Sequence, residues 1–361
     1  MPIVETIRER IQKNGPLSFR DFMEMALYEP GKGYYVAGKS HIGFDGDYFT
    51  SPNLSSLFGA MIARQVLEMW EYMGVEKFTL LEIGAGTGKL CNDILNYISG
   101  NSNLINNFKY CIVEKNETVS NLLQQKFPGK IAEYRSVNKI PPFRGCILTN
   151  EVVDNFPVHR VVMQDELMEV FVGYKQGFME FLVPAREELK SYLEAWNIIL
   201  PKGYYTEINL DAKKWIKQLS AKLESGYVIT IDYGYSAQEL YHQKRNRGSM
   251  MCFKNHKIND MPYYNIGNQD ITTHVNFSAL SKWGMEFGLE NCGMVNQSDF
   301  LLRLGIKEYF ISMFSESENV VEMARMESRL TQLLLIEMGS RFRVLIQKKG
   351  NVPGDLSGIK H

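Results

Sequence analysis

The sequence has no paired cysteines, no long apolar run and no surplus of either charge. Its five cysteines, Cys91, Cys111, Cys146, Cys252 and Cys292, are scattered through 361 residues without a Cys-x-x-Cys pair. That spacing argues against a zinc site or a redox dithiol, so no metal is expected and a reducing compartment is. No apolar stretch approaches the roughly 20 residues of a membrane-crossing helix. The opening MPIVETIRERIQKNGPLSF has neither the apolar centre of a signal peptide nor the Arg/Ser-rich, acid-poor character of a transit peptide. We expect a cytoplasmic, bacterial-type protein that starts at its natural first residue and does not insert into membranes. Forty Lys and Arg against 41 Asp and Glu leave a net charge of -1. The general attraction for phosphate backbones is then missing, and nucleic acid is not an expected partner. What is present, 45% hydrophobic and 22% charged residues, is the composition of a globular chain with a sizeable core.

The apolar pattern divides the chain. Residues 1–75 read as a helical and lid segment, with helical spacing over 3–28 broken at Gly15-Pro16 and followed by the turn-rich EPGKGYY. Over 76–156 strands and helices alternate: FTLLEIG, KLCNDILNYI, KYCIVEK, ETVSNLLQQKF, KIAEYRS, GCILTNE. Continuous apolar strands in such alternation imply a Rossmann-like α/β core with a mostly parallel central sheet. Residues 157–225 read as an inserted β-rich and helical subdomain. The sheet resumes at YVITIDYG within 226–349, a stretch that includes a long loop over 235–276, helices near 277–288 and 306–338, and a terminal strand FRVLIQKK. The tail 350–361 is expected to be disordered. The Met- and Leu-rich helix near 306–338 reads as core packing.

Glu82-Ile83-Gly84-Ala85-Gly86-Thr87-Gly88-Lys89 sits where a buried strand hands over to a helix, a turn at which glycines let a ligand approach the backbone. A phosphate-binding loop would need Gly at 83 and Ser or Thr at 90, where Ile83 and Leu90 stand. A dinucleotide fingerprint from Gly84 needs a small residue at 89, where Lys89 stands. What remains is G-x-G-x-G preceded by an acid, which resembles motif I of class I methyltransferases. Their cofactor, S-adenosylmethionine, has no pyrophosphate to seat. Glu114 then falls at the end of the second strand, where a carboxylate can accept from both ribose hydroxyls, and Glu82 could accept from the ammonium group. The bland alternative is a tight turn with Glu114 as a solvated helix cap.

A second acidic motif, TNEVVDNFPVH over 149–159, opens at the carboxyl end of the fourth strand, the edge where open α/β sheets bind ligands. Methyl transfer asks an enzyme mainly to position an electron-rich acceptor. A guanidinium is always protonated and poorly nucleophilic, but paired carboxylates can grip its N–H fork and help remove a proton. Glu151 and Asp154 are the catalytic candidates on this reasoning; the bland alternative is a helix cap or an ion pair with Arg160. His159 reads as structural, and Tyr233, just after a buried strand, as a weaker site candidate.

This motif resembles the N-E-x-x-D-x-x-P-V-H segment of the MidA-like family. The resemblance extends to PLSFRDFMEMALYEPGKGYY (16–35), GDYFTSP (46–52) with Leu57-Phe58-Gly59, IDYGY (231–235) and GNQDITTHVNF (267–277). The blocks occur in family order over about residues 16–280. Mitochondrial members of that family are arginine methyltransferases involved in assembling respiratory complex I. The resemblance therefore implies transfer of methyl groups from S-adenosylmethionine to an arginine of a protein, with a respiratory complex subunit as one expected partner. Two departures stand out: Thr273 where alanine is usual, and Asn276 where aspartate is.

Thr50 and Ser51 are read as hydroxyl donors to the cofactor, with Tyr34, Tyr35 and Phe49 excluding water; the alternative is a helix start with Ser51 as its cap and Pro52 in the first turn. Asp47 carries no assignment. Tyr34, Gln269, Asp270 and His274 are candidates for lining the acceptor channel, although the last three would equally serve to pin a long loop. A homodimer is expected only because two-fold association is common. Two alternatives to a protein arginine methyltransferase stay open: a small-molecule methyltransferase, and a non-catalytic cofactor-binding assembly factor.

Overall fold

A computed structural model of the chain describes residues 1–38, 46–47, 50–100, 105–314, 325, 327–328 and 330–360. By its internal contacts the chain forms two compact units, each assembled from three stretches of sequence: Phe49–Val152 with Ile216–Tyr233 and Ser281–His361, and Met1–Tyr48 with Val153–Trp215 and Gly234–Leu280. The expected division at 75, 156 and 225 is therefore redrawn, because the N-terminal helices share a core with the inserted strands rather than with the central sheet.

The first of these units carries the central sheet. We number its strands β1 (Phe78–Ile83), β2 (Phe108–Val113), β3 (Ile131–Tyr134), β4 (Phe143–Asn150), β5 (Leu223–Tyr235), β6 (Glu290–Asn296) and β7 (Phe342–Lys349). Their spatial order is β6-β7-β5-β4-β1-β2-β3. The five strands from β5 to β3 are parallel, as expected, whereas β7 and β6 add an antiparallel edge. β6, ENCGMVN, was not foreseen: its residues are only partly buried and lack the apolar run of the central strands. The helices Ser56–Met73 and Lys89–Ser99 bury Phe58, Ile62, Leu90 and Ile94 in the same cluster as Leu80, Ile112 and Leu148 of the sheet.

The tail is a clear correction. Val352, Leu356 and Ile359 are buried in that cluster, and the Ser357 hydroxyl donates to Glu68 at 2.6 Å. Three apolar anchors spaced three or four residues apart outweigh the polar residues between them.

The other unit holds an antiparallel sheet over Leu17–Ser18, Leu167–Tyr174, His159–Met163 and Tyr205–Ile208, with Phe178–Pro184 paired to Leu167–Tyr174. Helices Ile3–Asn14 and Phe19–Tyr28 pack Ile7, Phe22 and Met23 against Val170 and Val172 of this sheet. The segment 235–276, expected as a long loop, instead contains a small sheet of Met251–Lys254, Lys257–Asn259 and Asp270–Thr272. Among the described residues no helix is long and apolar enough to cross a membrane, and no group of three or more His, Cys, Asp or Glu could hold a metal.

Candidate functional site

Three strand ends lie side by side at the carboxyl edge of the sheet, because β1 is hydrogen-bonded to β4 on one side and β2 on the other. After β1 the chain turns through Gly84, Gly86 and Gly88 at φ of +72°, +52° and +70°, a left-handed region that residues with a Cβ enter at a cost. A Cβ on Gly88 would stand 2.5 Å from Leu123 Cδ2, and one on Gly84 would stand 3.2 Å from Val152 Cγ2. The turn is tied by Gly84 N–H to Val113 O at 2.9 Å and by Gly88 N–H to Ala85 O at 2.8 Å. It hands over to the helix Lys89–Ser99, where Lys89 pairs with Asp93 one turn later.

Two acids flank this turn. Glu82, in β1, is buried, and its Oε2 accepts a hydrogen bond from the Tyr110 phenol at 2.7 Å. Burial raises its pKa to about 7, with the charge of Glu114 adding to the rise and the Tyr110 hydrogen bond opposing it. Glu114 follows β2 directly, and its Oε1 accepts from Asn116 N–H at 2.8 Å. The cap of the next helix, Glu117–Lys126, is Asn116, whose Oδ1 accepts from Thr118 and Val119, so Glu114 is not the solvated cap of the bland alternative. Burial raises the pKa of Glu114 as well.

At the end of β4, Glu151 has φ +55°, a left-handed conformation in a residue with a side chain, of the kind that clusters at functional sites. Its N–H is held by Ile231 O at 2.9 Å, and its Oε1 accepts from Asn150 Nδ2 at 3.0 Å. Asp232, which sequence reasoning passed over, is fully buried near the end of β5, where it accepts from Val152 N–H and Tyr233 N–H. Its only signal in the sequence was an acid inside an otherwise apolar strand. The bland alternatives for Glu151 and Asp154 do not hold: no helix follows the motif, and Arg160 pairs with Glu180 at 2.7 Å. Tyr233 packs edge-on against Phe342.

The hydroxyls of Thr50 and Ser51 are engaged within the protein. Thr50 Oγ1 donates to Asn53 Oδ1 at 2.7 Å, and fully buried Ser51 shares a hydrogen bond with Gln297. A short helix, Ser51–Leu54, does start here with Pro52 in its first turn, but Thr50 occupies the capping position. Phe49 lies outside the described residues.

In the other unit, Asp154 is buried and its backbone carbonyl accepts from Thr273 N–H at 2.8 Å. Asp270 is buried with the Tyr35 phenol 2.8 Å from both of its oxygens. Burial, then the nearby Asp154, raises its pKa to about 8 against the opposing Tyr35 hydrogen bond. Tyr34 is fully buried and donates to Asp47 Oδ2 at 2.7 Å, while Asp47 Oδ1 accepts from Asn255 N–H. Asp47, unassigned from sequence, thus fastens its own segment to the 255 turn. Gln269 donates to Met261 O at 2.8 Å, and His274 N–H donates to Ser249 Oγ at 3.0 Å. The Gln269 contact is a side-chain tie within its loop, whereas the His274 contact is made by its backbone and its ring packs edge-on to Tyr235. His159 is buried 2.8 Å from Glu169, in keeping with its structural reading. Asn276, at the departure from the MidA-like pattern, accepts from Ala279 N–H and donates to the Tyr192 phenol; it caps the helix Phe277–Glu286.

The chain is similar to known proteins over most of its length. Residues 61–295 match the family described as "Putative S-adenosyl-L-methionine-dependent methyltransferase". The human protein arginine methyltransferase NDUFAF7, mitochondrial, is 25% identical over an alignment covering 84% of this chain and 74% of the relative. Its Drosophila melanogaster homolog is 23% identical, covering 96% and 85%. A Burkholderia thailandensis protein solved with S-adenosyl-homocysteine bound is 30% identical and superposes with a TM-score of 0.88, covering 99% of this chain and 94% of that one.

Proposed function

Because the chain belongs to this MidA-like family of S-adenosylmethionine-dependent methyltransferases, we propose that it methylates an arginine side chain of a protein. Its cofactor is S-adenosylmethionine, which when bound supplies an electrophilic methyl group on a sulfonium. The residues present fit that molecule. Positive-φ glycines leave a cradle that a Cβ at 84 or 88 would fill. Glu114 accepts ribose hydroxyls with the acceptor capacity its Asn116 bond leaves open, since a carboxylate offers about four lone-pair sites. Glu82 lies beneath the turn as the partner of a cationic group.

The observation that carries the acceptor reading is Glu151: a carboxylate at the end of β4, the strand bonded to β1, held in a left-handed backbone conformation. In our reading it binds the N–H fork of the acceptor guanidinium and takes up the proton that must leave for the nitrogen to become nucleophilic. Asp154, three residues further along the same motif, is the second acid we assign to this task. The names of the human and fly relatives support arginine as the acceptor.

The test is methyl transfer from labelled cofactor into a cell extract, with peptide mapping of the labelled site. Methylarginine made by the wild type and lost in Glu151→Gln supports the reading. Label in a small metabolite, or on another residue type, replaces it. Cofactor binding without any label transfer indicates a non-catalytic binding factor.

A further inference from the structure

Tyr110 is a buried tyrosine in the middle of β2, flanked along the strand by Lys109 and Cys111 and packed edge-on to Phe108. A phenylalanine would fill the same space. Burying a hydroxyl costs free energy unless it is bonded, so the hydroxyl calls for a purpose. In the parallel pairing of β1 and β2, Leu80 faces Tyr110 and Glu82 faces Ile112. Glu82 and Tyr110 are therefore diagonal neighbours on one face of the sheet. The phenol reaches Glu82 Oε2 at 2.7 Å, and the Cys91 thiol, on the helix that leaves the glycine turn, is near enough to act on it electrostatically. The hydroxyl thus holds the side chain of the residue two before Gly84, where the chain enters the turn.

We infer that Tyr110 is a positioning residue for S-adenosylmethionine, holding the Glu82 carboxylate ionised and oriented beneath the glycine turn to receive the cationic part of the cofactor. The inference rests on Glu82 serving the cofactor, as proposed above.

A carboxyl buried this deeply keeps its proton easily. Any cation that needs the ionised form must then draw on whatever stabilises the charge. The titratable groups around Glu82 are few. Tyr110 and, beyond the strand end, Glu114 come from the β2 side; Cys91 comes from the covering helix. On that helix Lys89 is paired with Asp93, and from the next helix Lys126 donates to Thr87 O at 3.2 Å and acts on Cys91. Cys146 of β4 stands opposite Leu80. Burial drives the thiols Cys91 and Cys146 and the Tyr110 phenol upward, so all three stay neutral. Burial raises the pKa of both Glu82 and Glu114, and the hydrogen bond from Tyr110 favours the charged form of Glu82 against that rise.

The experiment is calorimetric binding of S-adenosylhomocysteine and S-adenosylmethionine from pH 5.5 to 8.5 to the wild type, Tyr110→Phe and Glu82→Gln. These pH limits bracket, by about 1.5 units each side, the value near 7 to which burial brings Glu82. The wild type should bind more tightly as pH rises through that value. Tyr110→Phe should weaken binding at neutral pH about tenfold, the scale of one hydrogen bond to a charged group, and shift the profile to higher pH. Glu82→Gln should bind weakly with a flatter profile. A Tyr110→Phe profile that is weaker but unshifted would reduce Tyr110 to packing and overturn the inference. An unaffected Glu82→Gln would instead remove Glu82 from the cofactor site. Failure of the folded wild type to bind either ligand would count against the cofactor site itself.

Discussion

The Tyr35 phenol lies 2.8 Å from both carboxylate oxygens of Asp270, a buried acid whose pKa stands at about 8. Its unfolded reference is 3.8. As pH rises from about 4 to about 8 the unfolded chain ionises this group freely and the folded chain does not. Stability contributed by this site is therefore greatest in acid, falls across that window and is level above it. Thermal melts from pH 4.5 to 8.5 should show a smaller loss of stability in Asp270→Asn than in the wild type, across limits set to lie inside and just above that window by about half a unit. Tyr35→Phe should destabilise by about 1–3 kcal/mol, most strongly above about pH 8, where the folded chain holds Asp270 ionised and the charge most needs the phenol.

Gly88 tests the turn by geometry alone. Its φ of +70° and the 2.5 Å approach of Leu123 to a notional Cβ should make Gly88→Ala cost about 1–3 kcal/mol in a denaturant titration. It should also lower cofactor affinity well beyond what that loss of stability accounts for. Gly74, at φ +56° but with nothing within 4 Å of a notional Cβ, is the control. Gly74→Ala should cost less and leave binding unchanged.

The C-terminal residues should behave as core. Leu356 is fully buried and Gly358 fits between Phe300 and Gln65. Truncation after residue 350 should lower stability by about 3–6 kcal/mol, the loss of three buried aliphatic side chains. An unchanged melting temperature would return the tail to the disordered segment that its polar composition suggested.

Asn276→Asp restores the residue usual in the family pattern. An aspartate can accept from both Ala279 N–H and the Tyr192 phenol, so the cap survives and stability should change by less than about 1 kcal/mol. A large rise in methyl transfer with unchanged stability would instead reveal a catalytic demand for an acid at this position.

The parallel strands were legible because each is a continuous apolar run closed by a turn signal, and the glycine turn because its spacing leaves few ligands that fit. Glu82, Glu114 and Glu151 are candidates by position, at the ends of such runs. What escaped the sequence was long-range. Nothing local says that helices 3–28 share a core with strands 159–208, or that the phenol of Tyr110 meets Glu82 across two strands. Thr50 and Ser51 are donor candidates by residue type; that their hydroxyls meet Asn53 and Gln297, the latter 246 positions from Ser51, is not legible locally. β6 was missed because a half-buried edge strand needs no apolar run.

The most direct test of the cofactor assignment is a calorimetric titration of S-adenosylhomocysteine into the wild type and Glu114→Ala at neutral pH. The account predicts binding by the wild type and a loss of about tenfold or more in the variant, since Glu114 would no longer accept from the ribose. Equal affinity in the two proteins, both folded, would contradict the placement of the cofactor over the glycine turn and the end of β2.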